Sequence, residues 1–181
     1  MKKVSIIIPT FSAHEPWFLK AVASCSFADE IIITRMEGLT AAINEAVTKV
    51  RNDYFAILPD DDYFLPEVEK ALETLTNIDG VLHFPCRHQV EDGEISDELF
   101  DVSPDIDVAM KSGRNQVVGS AFMRKDLFLE LGGYFGEVCM DAYIWHKAYE
   151  KGEVFNYYPE PCVVFRWNKH SALQRKTGRW N

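Results

Sequence analysis

At 181 residues, 47% hydrophobic and 26% charged, the chain has the length for one core and the make-up of an ordinary globular domain, with no low-complexity tract or internal repeat. Its net charge of -9 speaks against a nucleic-acid coat protein. No stretch approaches the ~20 apolar residues of a membrane span, so no integral membrane segment is expected and a soluble, cytoplasmic protein is.

Val4 to Ile8 reads as a first buried strand, with Pro9-Thr10-Phe11-Ser12 as the loop at its carboxyl end and the first candidate for ligand contact. Phe18, Ala21, Val22 and Cys25 then recur at i, i+3, i+4 and i+7, which predicts a helix over about Pro16 to Ser26. Ile31-Ile32-Ile33 is a second strand, followed by Arg35, Glu37 and Gly38 in a short loop. Leu39 to Val50 has the stripe of a helix, beside which Asn44 stands as a polar group open to a surface, capping or functional reading.

Tyr54 to Leu58 is apolar on both faces, the pattern of a buried strand in a parallel sheet, and Pro59 ends it. A helix from about Pro66 to Thr76 and a strand from Val81 to Pro85 come next. His83 and His88 flank that strand and read as satisfied polar residues, because no spacing pairs them on one face. From Glu91 to Asp107 there are eight acidic residues and no Lys or Arg, which predicts a solvated, mobile loop. Val117 to Met123 reads as a strand, in which Gly119 signals a close backbone or ligand approach. Lys125 to Leu131 predicts a helix stopped by Gly132-Gly133.

Met140 to Tyr149 predicts the last helix, and Asp141, Ile144, Trp145 and Ala148 share its inward face. An acid there is either an N-cap or a base with a tuned pKa, and the residues leave both open. β-prone and aromatic residues alternate from Phe155 to Phe165, so one domain is expected over 1–165. Arg166, Lys169, His170, Arg175, Lys176 and Arg179 make 166–181 a basic tail, read as a charged end or as a flap over phosphates. Cys25, Cys86, Cys139 and Cys162 form no C-x-x-C pair and look like core residues of a reducing compartment.

The strongest chemical signal is Asp60-Asp61-Asp62, placed where an open α/β sheet binds its ligands. Two like charges ~4 Å apart repel by roughly 4 kcal/mol at an effective dielectric of about 20, and a hard divalent cation is the natural neutraliser. A solvated turn capping the following helix is the alternative.

Four stretches resemble family 2 glycosyltransferases of the GT-A fold, over nearly the whole chain. They are Val4 to Phe11, Leu39 to Ala46, Phe55 to Pro66, and Leu131 to Phe135 together with Met140 to Trp145. The resemblance implies an α/β domain with a Rossmann-like, mostly parallel sheet flanked by helices. It also implies transfer of a sugar from a nucleotide-diphosphate sugar donor to an acceptor hydroxyl of unknown class, with inversion. On this reading Asp61 and Asp62 bind the metal, Mn2+ or Mg2+, and Asp141 is the general base. Pro9, Thr10, Phe11, Arg35, Asn44, Asp60, Arg166 and His170 line the donor, while Gly119 and Trp145 face the acceptor.

Three departures stand beside the likeness. No Asp-Gly-Ser-type loop follows the second strand, which leaves Arg35 to take part of that contact. Met140 stands where the family often has Glu. The chain also lacks the extra helices or spans with which many relatives hold acceptors, so the expectation is either a partner protein or oligomer or the use of an exposed acceptor. A catalytically silent sugar-nucleotide or carbohydrate binder is the alternative function. A nucleotidyltransferase comes after it, because Thr10-Phe11-Ser12-Ala13-His14 is neither glycine-rich nor basic enough for a triphosphate.

Overall fold

The structure, a computed structural model, describes residues 2–10, 15–35, 37–75, 79–90, 93–99, 103–112, 116–136 and 140–167. In chain order the elements are β1 (Val4–Thr10), α1 (Glu15–Ala23), β2 (Glu30–Arg35), α2 (Leu39–Lys49), β3 (Tyr54–Ile57), β4 (Tyr63–Phe64), α3 (Glu67–Thr74) and β5 (Val81–His83). There follow β6 (Cys86–Val90), β7 (Ile95–Leu99), α4 (Ile106–Lys111), β8 (Met123–Arg124), α5 (Lys125–Glu130), α6 (Met140–Glu150), β9 (Phe155–Tyr157) and β10 (Val163–Trp167).

The principal sheet has the order β2-β1-β3-β8. Its first three strands are parallel, and β8 runs antiparallel to β3. Alternation along β1 divides the core. Val4, Ile6 and Ile8 join one apolar cluster with α1 and α3, while Ile7 joins the other with α2, α5 and α6. Ser5, fully buried between these layers, donates to Glu30 at 2.7 Å, and Arg51 Nε donates to the same carboxylate at 2.6 Å. That shared acid fastens the amino ends of β1 and β2 to the start of β3.

A second sheet, β4-β10-β6-β7, stands beside the first. β10 lies antiparallel to β4 and parallel to β6, so the last described strand is central in it. β5 and β9 pair in parallel, and a bridge from Leu82 to Phe122 joins them to the chain just before β8.

Several sequence expectations are corrected here. Pro9 and Thr10 continue β1 rather than forming a loop, pairing with Thr34 and Arg35. Ile31-Ile32-Ile33 is a strand as expected; β2 is an edge strand covered by α2 on one side, and Ile33 is 55% exposed. The acidic stretch is not one loop: Ile95–Leu99 pairs with β6, and Ile106–Lys111 is helical, capped by the Asp105 carboxylate. Acidic side chains suit a sheet edge, since they deter pairing with another chain. Val117 to Phe122 is a turn-rich approach to β8, with strand geometry only at Met123 and Arg124.

His83 is not a satisfied polar residue. It is fully buried against Phe155 and Tyr157, and neither ring nitrogen has a partner among the described residues. Burial pushes its pKa down to about 4. Cys25, Cys86 and Cys162 are buried free thiols, as core cysteines should be, whereas Cys139 lies outside the described residues. Among the described residues no helix is long and apolar enough to cross a membrane.

Candidate active site

Two groups of the predicted residues assemble, one at the carboxyl ends of β1 and β3 and one around the start of α6. The first is built because β1 and β3 are adjacent and parallel, which carries Thr10 alongside the loop that leaves β3. Thr10 Oγ1 donates to Asp60 Oδ2 at 2.7 Å, and Arg35 lies opposite Thr10 in the ladder with β2. Three consecutive acids cannot all point the same way. Asp60 turns to Thr10 and is 3% exposed, Asp61 is half-buried, and Asp62 turns inward at 3% exposure.

The Asp62 Oδ1 atom accepts the backbone N–H of Arg166 at 2.8 Å, from a residue 104 positions away on β10. Burial, then the adjacent Asp61 charge, holds the Asp62 carboxyl well above the usual carboxylate range. Arg166 pulls in the opposite direction, through its N–H and its cation, without prevailing. Arg166 is itself 3% exposed, and its guanidinium stacks on Trp17 of α1, 2.9 Å from the ring centroid. Lys20, one turn along α1, sits 3.5 Å from the Tyr63 ring centroid, and Tyr63 donates its hydroxyl proton to Gln89 at 3.2 Å. Trp17, Lys20, Tyr63 and Gln89 were not singled out from sequence, although Trp17 and Lys20 at i and i+3 carry a legible helical pairing.

Three assignments change in this first group. Asp62 is an internal carboxylate committed to β10 rather than an outward metal ligand. Pro9 is buried inside β1, so its ring does not line a ligand surface. Arg166 is an interior counter-charge of the acidic loop, held between Trp17 and the Asp62 carboxylate. Among the described residues no three His, Cys, Asp or Glu side chains are grouped so as to hold a metal ion. Phe11 and His170 lie outside the described residues, as does the tail beyond Trp167.

The second group forms around Asp141, the second residue of α6 and half-buried, which places it within the first turn rather than at the cap. Gly119 lies against it: a Cβ at that position would stand 3.3 Å from Asp141 Oδ2. The close approach expected at Gly119 is therefore to this carboxylate. Tyr134 is beside the same acid, and burial followed by the Asp141 charge raises its phenol well above the ordinary value. Trp145 is 2% exposed in the core, so its ring is not offered to an acceptor. Asn44 does not reach the strand-end loops. Its amide donates to the Tyr134 carbonyl at 3.0 Å and accepts the Tyr134 N–H at 2.9 Å.

No protein-family profile matches the chain, and no curated protein matches it. Solved structures do. S. aureus TarS 1-349 in complex with UDP-GlcNAc superposes with a TM-score of 0.71 at 13% identity, over 95% of this chain and 60% of that one. TarS 1-349 in complex with UDP gives 0.68 at 14% identity, over 92% and 61%. A longer TarS chain gives 0.68 at 13% identity, over 92% of this chain and 37% of its own length. The chain thus spans about three fifths of TarS 1-349 and a smaller share of the longer protein. What is shared at this identity is the fold, a mixed α/β domain of the GT-A type.

Proposed function

We propose that the chain is a glycosyltransferase that takes a sugar from a nucleoside-diphosphate donor and transfers it, with inversion, to an acceptor hydroxyl. The observation that carries this reading is the Thr10–Asp60–Asp61 group at the carboxyl ends of β1 and β3. It stands in a fold that, in TarS, has been solved with UDP-GlcNAc bound.

Thr10 fixes Asp60 by a charge-assisted bond, which leaves Asp61 as the acid turned least inward. Asp61 is the residue that would hold a divalent ion, Mn2+ or Mg2+, through its carboxylate oxygens. When bound, such an ion would supply neutralisation of charge on the departing diphosphate. Asp141 takes the proton of the acceptor hydroxyl. The hydroxyl oxygen bonds to the anomeric carbon as the bond from that carbon to the phosphate oxygen breaks, and the electron pair leaves with the nucleoside diphosphate. Gly119 leaves space against the Asp141 carboxylate.

A silent sugar-nucleotide binder is the second reading. It is favoured by the inward turn of Asp62, which leaves one acid of the triplet for a cation. Calorimetric titration with UDP, ADP, GDP and CDP, with and without Mn2+, on the wild type and Asp61→Ala tests both readings. Metal-dependent binding of one nucleotide that is lost in Asp61→Ala is the expected result. Binding without turnover of the matching sugar nucleotide would favour the silent binder, and absence of binding to all four would sink both.

A further inference from the structure

We propose that the Thr40–Asn44 stripe of α2 is a clamp that positions Asp141, which makes Asn44 a positioning residue for the transfer step rather than a contact to the donor. This rests on the reading of Asp141 as the base. Asn44 and Tyr134, 90 positions apart, form a closed reciprocal pair: the side-chain amide meets both the N–H and the C=O of one backbone residue. Such a pair fixes the orientation of the peptide segment as well as its distance, which a single bond does not.

The neighbouring glycine is matched to it. Gly133 adopts φ +72, and a Cβ there would stand 2.7 Å from Asn44 Oδ1 and 3.2 Å from Phe128 Cε1. Both the backbone conformation and the space therefore require glycine. One turn earlier on α2, the Thr40 hydroxyl donates to the Gly136 carbonyl and lies against the Met140 sulfur. Met140 immediately precedes Asp141. α2 thus grips the chain at residues 134, 136 and 140, on the way into the first turn of α6.

The gripped segment brackets the acid. Tyr134 lies beside Asp141 closely enough for the carboxylate charge to act on its phenol, and Gly119 lies against the same acid, where an added Cβ would stand 3.3 Å from Asp141 Oδ2. A reacting group displaced by an ångström loses roughly a hundredfold in rate, so a clamp of this kind acts on turnover rather than on donor affinity. Thr40 and Asn44 also account for polar side chains next to the buried Ile43 and Val47 of the same helix.

The test uses the full chain with Asn44→Asp, which keeps size and the acceptor oxygen but sets a carboxylate against the Tyr134 carbonyl. Thr40→Val is the second variant and cuts the other contact. Hydrogen exchange of peptides covering 131–145 is measured together with kcat and KM for UDP release from UDP-GlcNAc and with UDP affinity. The expected result is exchange at least tenfold faster through the first turn of α6, kcat lowered ~10- to 100-fold, and UDP affinity within twofold of wild type. Unchanged exchange in either folded variant overturns the clamp. Unchanged kcat with faster exchange overturns the positioning role, and a parallel loss of UDP affinity restores Asn44 to the donor. A wild type that binds UDP but releases none from UDP-GlcNAc counts against the transferase reading. The clamp is then still decided by whether faster exchange extends into α6 or stops at residue 136.

Discussion

The Arg166 N–H donates to the Asp62 carboxylate at 2.8 Å, joining the centre of the second sheet to the acidic loop of the first. Both residues are 3% exposed. A carboxylate in that setting is costly to ionise and costly to delete, because its removal strands the N–H and the guanidinium beside it.

Asp62 makes stability depend on pH in a definite direction. Its folded pKa is raised, so its contribution is fully present below the ordinary carboxylate value and is lost as pH rises toward the folded value. Asp62→Asn keeps the acceptor for Arg166 and removes the titration. The stability difference, variant minus wild type, should therefore grow from pH 4 upward in urea titrations. A constant difference across pH would show that the carboxyl does not titrate above its usual range.

Asp141→Asn should lower kcat by ~10²- to 10⁴-fold while nucleotide affinity stays within about twofold, as expected when a general base is lost without a binding contact. Single-turnover kinetics with calorimetry on the same preparations checks both halves. A variant with wild-type turnover would falsify the assignment of the base.

Gly119→Ala is a milder probe of the same carboxylate. Its Cβ would meet Oδ2 at 3.3 Å, so the acid must shift by a few tenths of an ångström. The expected loss is about tenfold in kcat with little change in melting temperature, because Gly119 has no positive φ to strain. A large fall in melting temperature with normal turnover of the folded fraction would assign Gly119 to packing alone.

His83 should make the fold sensitive to acid. Its pKa is lowered from 6.5 to about 4, so between these values the unfolded chain binds a proton that the folded chain refuses. Stability therefore falls as pH drops through that window, by about 3 kcal/mol at the limit for this group. Denaturant titrations at pH 7 and pH 4.5 should show a smaller acid loss for His83→Phe than for wild type. Equal losses would mean that His83 is protonated in the folded protein at the lower pH.

The parts of the fold legible in the sequence were those whose pattern comes from burial. β1 and β3 lie between two layers and are apolar but for Ser5, Thr10 and the Tyr54 hydroxyl, and α2, α3, α5 and α6 carry an inward stripe. β7 was hidden because an edge strand has little to bury, so its acids read as solvation. Val117 to Phe122 looked like a strand because its β-prone residues are core residues, although the chain there turns past Asp141. In the site, the acidic cluster was visible and the division of labour within it was not. Asp60, Asp61 and Asp62 are one residue type three times over, and only the partners Thr10 and Arg166, each distant in sequence, tell them apart. Asn44 was visible as an anomaly, but its partner is the Tyr134 backbone, which leaves no trace in side-chain identity.

The tie between Asp62 and β10 also sets an order of events during synthesis. β1, β3 and the acidic triplet leave the ribosome about a hundred residues before the strand that satisfies Asp62, at a span of 104 positions. Until Val163–Trp167 emerges and slots between β4 and β6, the buried carboxylate has neither its N–H partner nor its counter-ion. A nascent chain can thus build the parallel core early, yet it completes the acidic end of the sheet only when β10 arrives.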